Sequence, residues 1–391
     1  MIGILLKITN ILKRLLISSV VIGVLLNQTS YAYTGDGKRK EPMNGAWVCT
    51  VYNLDFPKTE NFEEEYKALL SRLEAEGINT IVFQVRPSGD AFYNSKIVKR
   101  SPYIKGCASD YDPMKFVIEE THKRGMEFHA WFNPFRVTTS GTKLSAGDPL
   151  NQYKQHIVEY KGKLYLDPGK PEVRKYLRDV ILEYLNQYDV DAIHFDDYFY
   201  PARDFNDNEA YQKYGKGQDR FDWRRNNINT FVRNIQKLAH RKGVEFGISP
   251  SGVWRNKGND ERGSETTAFS SYDDIQADSL YWVKNEIVDY IVPQIYWTTD
   301  STSANYVKLV DWWSNVVKGT KVDLYIGQGI YKPEVKNEIQ KQLSLNLSSD
   351  EVKGSIYFSA NNISNLPKPY KLVYSSNKKL SFYGSGISSI K

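Results

Sequence analysis

The sequence predicts an α/β protein, a (β/α)8 TIM barrel with long βα loops, and three observations carry the prediction. Eight short apolar runs alternate with stretches whose apolar residues recur at helical spacing, the pattern of a parallel sheet wrapped by helices. The connections after runs two to five are long, whereas those leading into the runs are two to four residues. The runs also end in polar and aromatic residues. Residues 190–198, Val-Asp-Ala-Ile-His-Phe-Asp-Asp-Tyr, are the clearest case, since an apolar strand there delivers two adjacent carboxylates at its carboxyl end.

Taken in order, a polar leader at 33–44 precedes a first strand at 46–51. A helix follows over 62–76, with Tyr66, Leu69, Leu70 and Leu73 on one face and Gly77 as its stop. Residues 80–85 are a β-branched second strand, and Asp112-Pro113 opens a helix that runs to Arg124, with Gly125 just past its end. Further strands fall at 127–132, 192–195, 245–249, 290–294, 324–327 and 354–357. Helices lie between them at 171–188, 223–242, 303–318 and 332–343, with a short one at 280–285. A doubly wound open sheet alternates in the same way, but no Gly-x-Gly-x-x-Gly follows an early strand. The long loops, 86–111, 133–169, 196–222 and 250–278, then share one end of the barrel, the end where barrel enzymes place their chemistry. The barrel is expected to span 45–366, and the tail at 367–391 reads as a frayed end or a remnant strand pair.

A chain of 391 residues with 41% hydrophobic and 25% charged residues can bury a large core. Residues 1–32 stand apart. Lys7, Lys13 and Arg14 precede an apolar run at 15–26, and Ser30-Tyr31-Ala32 places small residues at a cleavage spacing, so a secretory signal peptide and export are expected. The run is shorter than the roughly 20 residues a membrane span needs, and no membrane span is expected in the mature protein. Without those three cations the formal charge falls from +6 to +3, which does not imply nucleic acid. Cys49 and Cys107 both survive cleavage. An oxidising compartment could pair them, although Cys49 sits in a predicted core strand as a buried thiol would.

Side chains alternate along a strand, so placing the large apolar residues outward fixes what points into the barrel. Gln84 and Arg86 turn inward from strand two, His129, Trp131 and Asn133 from strand three, His194 and Asp196 from strand four, and Gln294 and Tyr296 from strand six. Such polar groups must bond one another or a ligand. Adjacent Asp196 and Asp197 repel, which raises one pKa and prepares an acid beside a base. Asp90, in the loop after strand two, is the third candidate acid. Arg86 most simply pairs with a neighbouring carboxylate, and His129 and His194 read more simply as core or orienting groups than as ligands. Asp191 and Asp289 precede their strands and are assigned to structure. Tyr93, Trp131, Phe135, Tyr198, Tyr200, Trp254, Tyr296 and Trp297 fall at or past strand ends, where flat rings can stack on sugars.

Six segments in order resemble the glycosyl-hydrolase-like family 10. They are Trp47-Val48-x-Thr50-Val51-x-Asn53-x-Asp55, Gln84-Val85-Arg86-Pro87-x-Gly89-Asp90-Ala91, His129-Ala130-Trp131-x-Asn133-Pro134-x-Arg136, His194-Phe195-Asp196-Asp197-Tyr198-x-Tyr200-Pro201, Gly247-Ile248-Ser249-Pro250 and Val292-Pro293-Gln294-x-Tyr296-Trp297. The resemblance implies a (β/α)8 barrel, export and glycoside hydrolysis, with peptidoglycan glycan strands stripped of stem peptides as the substrate. It makes Asp196 and Asp197 the strand-four acids, with Asp90, Arg86, Asn133 and Gln294 as pocket residues. The strand-four segment is also similar to that of chitinase-like barrels, but Tyr198 stands where their proton-donating Glu would align.

The expectation is therefore an exported glycoside hydrolase with a polysaccharide partner and no cofactor. Its catalytic residues are expected among Asp196, Asp197 and Asp90, and its sugar contacts among Arg86, Tyr93, His129, Trp131, Asn133, His194, Tyr198, Tyr200, Trp254, Gln294, Tyr296 and Trp297. No second acid at a strand end is evident, and Glu261, Glu265, Asp273, Asp274 and Asp278 in the strand-five loop are open as partners. Two alternatives stand beside this reading. One is a barrel that binds wall polysaccharide without cutting it. The other is a metal-dependent deacetylase suggested by Phe195-Asp196-Asp197, although the five histidines (His122, His129, His156, His194 and His240) contain no close pair for zinc.

Overall fold

A computed structural model of the protein describes residues 42–104, 107–108 and 110–363, together with the backbone of two short antiparallel strands at Leu372–Tyr374 and Leu380–Phe382. The expected signal peptide lies outside the described residues. Eight parallel strands close into a barrel: β1 (Met43–Val48), β2 (Thr80–Arg86), β3 (Glu127–Phe132), β4 (Ala192–Phe195), β5 (Glu245–Ile248), β6 (Tyr290–Ile291), β7 (Asp323–Gln328) and β8 (Val352–Tyr357). The sequence places every strand, and the structure moves some ends. β1 starts at Met43, inside the stretch read as leader. β6 stops after two residues because Pro293 has no N–H for the ladder, and single bridges at Gln294 to Ser251 and Gly327 carry the sheet past it.

The helices follow from local chemistry. In α1 (Phe62–Ala75), Tyr66, Leu69, Leu70 and Leu73 are buried, and Glu63, Glu64 and Glu65 suit the positive end of its dipole. α2 (Pro113–Lys123) opens on Asp112, whose carboxylate accepts from the amides of Met114 (3.1 Å) and Lys115 (3.3 Å). α3 (Pro171–Gln187), α4 (Arg220–His240), α5 (Ser279–Lys284) and α6 (Tyr306–Val317) continue the outer ring. The helix expected at 332–343 is two pieces, Pro333–Asn337 and α7 (Ile339–Ser348). The long loops also fold locally: the one after β3 holds a hairpin, Ile157–Tyr160 with Lys163–Leu166, and the one after β4 holds a helix at Asn208–Tyr214.

Two layers of core result. Outward residues such as Ile81, Phe83, Phe128, Ile193 and Phe195 pack beneath the helices. Trp47, Cys49, Val82, Trp131, Tyr290, Tyr325 and Ile356 fill the barrel itself. Cys49 and Cys107 are free thiols, and burial pushes Cys49 well up from its ordinary pKa. At the amino-terminal face, Asp191 accepts from the Phe128 amide (2.8 Å) and pairs with His122 (2.9 Å). Asp289 does the same with the Phe246 amide (2.7 Å) and His240 (2.9 Å). Both aspartates are clamps between neighbouring strands and the preceding helix.

The loop after β4 is held down by a buried ion pair. Asp207 takes Arg224 from α4 through two contacts of 2.7 Å, and Arg224 also donates to the carbonyls of Arg203 (2.7 Å) and Phe205 (2.6 Å). Neither side chain of the pair is exposed. Asp207→Ala leaves the guanidinium buried without its counter-charge and is expected to cost about 3–5 kcal/mol in urea unfolding. A loss below about 1 kcal/mol would show that water reaches Arg224 instead.

Candidate active site

β4 ends at Phe195, and the next two residues carry the carboxylates. Asp196 points inward and is 5% exposed. Its Oδ2 accepts from Trp131 Nε1 (3.2 Å) and from the Asn133 amide group, and its Oδ1 accepts from the Tyr198 backbone N–H (3.0 Å). Asn133 is aimed by Gln84, whose Nε2 donates to Asn133 Oδ1 at 2.6 Å. Gln84 is fixed in turn by the amides of Thr50 (3.1 Å) and Val51 (3.0 Å), which donate to its Oε1. A chain of oriented amides thus runs from β1 through β2 and β3 to the acid on β4.

Asp197 is served differently. Its one side-chain donor is Gln294 Nε2 at 3.2 Å, and Gln294 is anchored by donating to the Ser249 carbonyl at 2.8 Å. Gly252 lets this happen, because a Cβ there would stand 2.6 Å from the Gln294 carbonyl oxygen. Burial, and then the charge of Asp196, push the Asp197 carboxyl up to about 7. Burial raises Asp196 as well, but the charge of Arg136 and its three donors oppose the rise. Both carboxyls are thus raised, and Asp197, with fewer donors, is the better placed of the two to carry a proton. Arg136 sits by the pair with its guanidinium 5.1 Å from the Tyr198 ring and its Nε donating to the Pro87 carbonyl (2.7 Å). Its quoted motif position was the only signal in the sequence for this role.

Beneath the acids lies a polar stack. The Tyr290 hydroxyl joins His129 Nδ1 (2.9 Å) to His194 Nδ1 (3.1 Å), His129 Nε2 meets Glu127 (3.1 Å), and His194 Nε2 meets the Ser249 hydroxyl (2.9 Å). Burial holds His194 well below the ordinary histidine pKa. Tyr290 lies across Gly247, where a Cβ would fall 2.1 Å from its ring. Both histidines are unexposed. Their placement corrects the expectation that they touch sugar: they line the floor of the barrel and support the site from below.

Other expectations are corrected by depth. Arg86 was read as inward and carboxylate-paired. The β2–β3 register slips by one residue between Gln84 and Arg86, so Arg86 falls opposite Phe132 on the outward face. Its Nη1 donates to the carbonyls of Asn133 (2.7 Å) and Pro134 (3.0 Å). Tyr93 is buried edge-on against Tyr184 of α3 (4.9 Å), Tyr200 against Phe205 (5.8 Å) and Arg224, and Phe135 against Phe231 of α4 (5.2 Å). Trp254 stacks on Trp312 of α6 (6.0 Å) and donates to Asp278 (2.9 Å). None of these rings offers a face to a ligand, because each was drawn into the outer core by its own loop.

Among the described residues the most exposed rings are Tyr52 (59% exposed), Phe269 (53%), Tyr198 (51%) and Tyr331 (48%), in the loops after β1, β5, β4 and β7. Tyr331 forms a wall with Phe358 (5.7 Å) and Tyr296 (6.0 Å), and Tyr296 stands close enough for the charges of Asp197 and Asp196 to raise its hydroxyl. Trp297 is half-buried by this wall, 5.9 Å from Lys332 Nζ. Only Tyr198, Tyr296 and Trp297 of this group were singled out in sequence.

The open question of a partner acid is narrowed by the loops. Asp273 is bound to Arg255 (3.0 Å), Glu265 to Lys308 (2.7 Å), Asp274 to the Ser270 amide (2.7 Å), and Asp278 to Trp254 and the start of α5. Glu261 is exposed. Asp55 accepts from the Cys49 amide (2.8 Å), Ser359 (2.7 Å) and the Asn361 amide (3.0 Å), tying the loop after β1 to the one after β8. Asp90 accepts from the Ser88 hydroxyl, and no hydrogen bond among the described residues links it to Asp196 or Asp197. A cleft of about 300 Å³ between the loops after β4 and β5 is lined by Phe221, Tyr272, Arg203, Arg225 and Arg255, and includes neither of those two acids. Among the described residues no three His, Cys, Asp or Glu side chains converge as a metal-ligand set, so the donors a deacetylase needs are not assembled there.

Comparison with known proteins agrees with the fold. The barrel resembles the glycoside hydrolase domain of PgaB (BpsB) from Bordetella bronchiseptica, at 11% identity and a TM-score of 0.52, over 84% of this chain and 96% of that one. It also resembles the endo-1,4-beta-mannanase of Rhizomucor miehei, at 11% identity and a TM-score of 0.55, over 85% and 90%. These likenesses speak to the fold alone. In sequence, the chain is 39% identical to glycosyl hydrolase YngK of Bacillus subtilis over 382 residues, 89% of this chain and 74% of that one. It is also 39% identical to glycosyl hydrolase DigH of Escherichia coli K12 over 363 residues, 81% and 83%. The family model described as Glycosyl hydrolase-like 10 matches residues 42–345, which contain every barrel strand except β8 and all of the acid pair's hydrogen-bonding partners, and the chain belongs to that family.

Proposed function

We propose that the protein is an exported glycoside hydrolase that cuts cell-wall polysaccharide, with peptidoglycan glycan strands lacking stem peptides as its substrate. The observation that carries the reading is the unequal pair at the end of β4: one carboxylate met by three donors, the next by a single side-chain donor and pushed up to about 7. Proton donation to a glycosidic oxygen needs such an acid, and the oxocarbenium-like transition state needs nearby negative charge. Asp197 is the proton donor and Asp196 the charged partner. Membership of the family and two relatives named glycosyl hydrolases support the reaction class. The exposed rings around the mouth suit an extended glycan, and no described helix is long and apolar enough to cross a membrane.

The decisive experiment is mass analysis of peptide-free peptidoglycan strands after incubation with the protein and with its Asp196→Asn and Asp197→Asn variants. Shortened glycans from the wild type, with turnover reduced by about 10²–10⁴-fold in each folded variant, are expected. Binding without products in all three would establish a binding barrel instead.

The acid role sets the pH dependence. kcat/KM on a soluble glycan should fall above pH about 7 as one proton leaves Asp197. The same group holds its proton more tightly in the folded chain than at its ordinary 3.8, so its contribution to stability is full below that pH and is lost as the pH rises through about 7. Asp197→Asn should therefore gain on the wild type across that window in urea unfolding. A constant difference would mean that Asp197 is ionised throughout.

The exposed rings act in binding and not in proton transfer. Phe269→Ala and Tyr331→Ala are each expected to raise KM by roughly fivefold, about 1 kcal/mol, with kcat kept. Tyr93→Phe, which alters a buried ring, should leave KM unchanged.

A further inference from the structure

Hydrolysis at a sugar carbon by two protein carboxylates requires them to flank the bond, one on each face of the ring, about 5–5.5 Å or 6.5–9.5 Å apart. Asp196 and Asp197 are consecutive residues just past the end of one strand and not acids carried on two facing strands. Four other loop carboxylates, Asp55, Asp273, Glu265 and Asp278, are each bound to partners of their own. Asp90 is flanked by Ala91 and Phe92, which are fully buried in the outer core, and Gly89 lies against Leu150 and the Val137 carbonyl. The Asp90 carboxylate is engaged by the Ser88 hydroxyl, and no hydrogen bond among the described residues joins it to the strand-four pair.

Asp196 itself has a feature that a simple charged neighbour would not need. A carboxylate offers about four acceptor positions. Trp131 and Asn133 occupy both on Oδ2, and the Tyr198 amide occupies one on Oδ1. One acceptor position on Oδ1 is left, on an anion whose orientation is fixed, beside a protonated acid.

We infer that the missing nucleophile belongs to the substrate: the 2-acetamido group of the sugar being cut attacks its own C1, Asp196 accepts the N–H of that group, and Asp197 serves first as acid and then as base. This rests on the glycosidase reading above and restricts the substrate to β-linked 2-acetamido sugars, in which the acetamide is trans to the leaving oxygen. In the first step the acetamide carbonyl oxygen bonds to C1 as the C1–O bond to the leaving sugar breaks. The bonding pair goes to the leaving oxygen, which takes the Asp197 proton. The product is a cyclic oxazolinium whose N–H faces the Asp196 anion, and the opposite charges attract. In the second step water bonds to C1 and gives its proton to Asp197, while the ring C1–O bond breaks and its pair returns to the acetamide carbonyl. One water is consumed, no oxidant or reductant takes part, and the configuration at C1 is retained.

The test uses the full chain with three measurements on chitin-type oligosaccharides and peptide-free peptidoglycan strands. Proton NMR of fresh products should show the β anomer first. A sugar-fused 2-methylthiazoline, which copies the oxazolinium, should inhibit competitively, and its affinity should drop in Asp196→Asn. Glycans of the same linkage carrying a free 2-amino or 2-hydroxyl group should be cut about 10³-fold more slowly or worse, because the intramolecular nucleophile is gone. An α product, equal rates on those glycans, or a glycosyl adduct trapped on a protein carboxylate by a 2-fluoro glycoside overturns this inference and leaves the glycosidase reading standing. No cleavage of any glycan by the wild type overturns both.

Discussion

The site depends on how few hydrogen-bond donors the barrel mouth supplies and on how unequally it shares them. Two adjacent carboxylates cannot both be charged in a half-buried place unless donors replace the water they lose. Trp131, Asn133 and the Tyr198 amide converge on Asp196, while Gln294 alone among side chains serves Asp197. Two side-chain donors on Asp196 against one on Asp197, added to burial and to the charge of Asp196, make the pair unequal. Nearly everything else in the barrel can be understood as holding those donors in place.

Gln84 shows how this works. Its carbonyl oxygen is held by two backbone amides of the loop after β1, which leaves its NH2 group pointing at Asn133 and forces the Asn133 NH2 group toward Asp196. The orientation of each amide is decided by the one before it, so the polarity of the whole chain is set where β1 meets β2. On the other side, Gly252 allows the backbone of the loop after β5 to approach Gln294 closely. Below, the His129–Tyr290–His194 stack bonds its own polar atoms to one another, so burying it leaves them partnered. The floor thereby satisfies the strand-borne histidines from within the barrel.

The loops divide their aromatic residues between two tasks. Tyr93, Tyr200 and Trp254 bury their rings against α3, Arg224 and α6, giving the long loops the apolar anchorage that fixes their course. Tyr52, Tyr198, Phe269 and Tyr331 remain outside, on four different loops around one opening. The buried set makes the exposed set possible, since a loop without a core of its own could not hold a ring out in water at a defined place.

Strand periodicity alone determined the barrel, its polar end and the positions of Gln84, Asn133, Asp196, Asp197 and Gln294, because side-chain direction in a regular strand is a matter of counting by two. Family motifs determined the family in the same local way. Where counting failed, a non-local contact had intervened. A one-residue slip between β2 and β3 turned Arg86 outward, and Pro293 cut β6 short. Which aromatic rings face water, which acids in the loop after β5 are already bound, and which of Asp196 and Asp197 keeps its proton were decided only by tertiary structure. Depth and donor count are properties of the surroundings, and apart from the Tyr198 amide the donors come from residues 63 to 97 positions away.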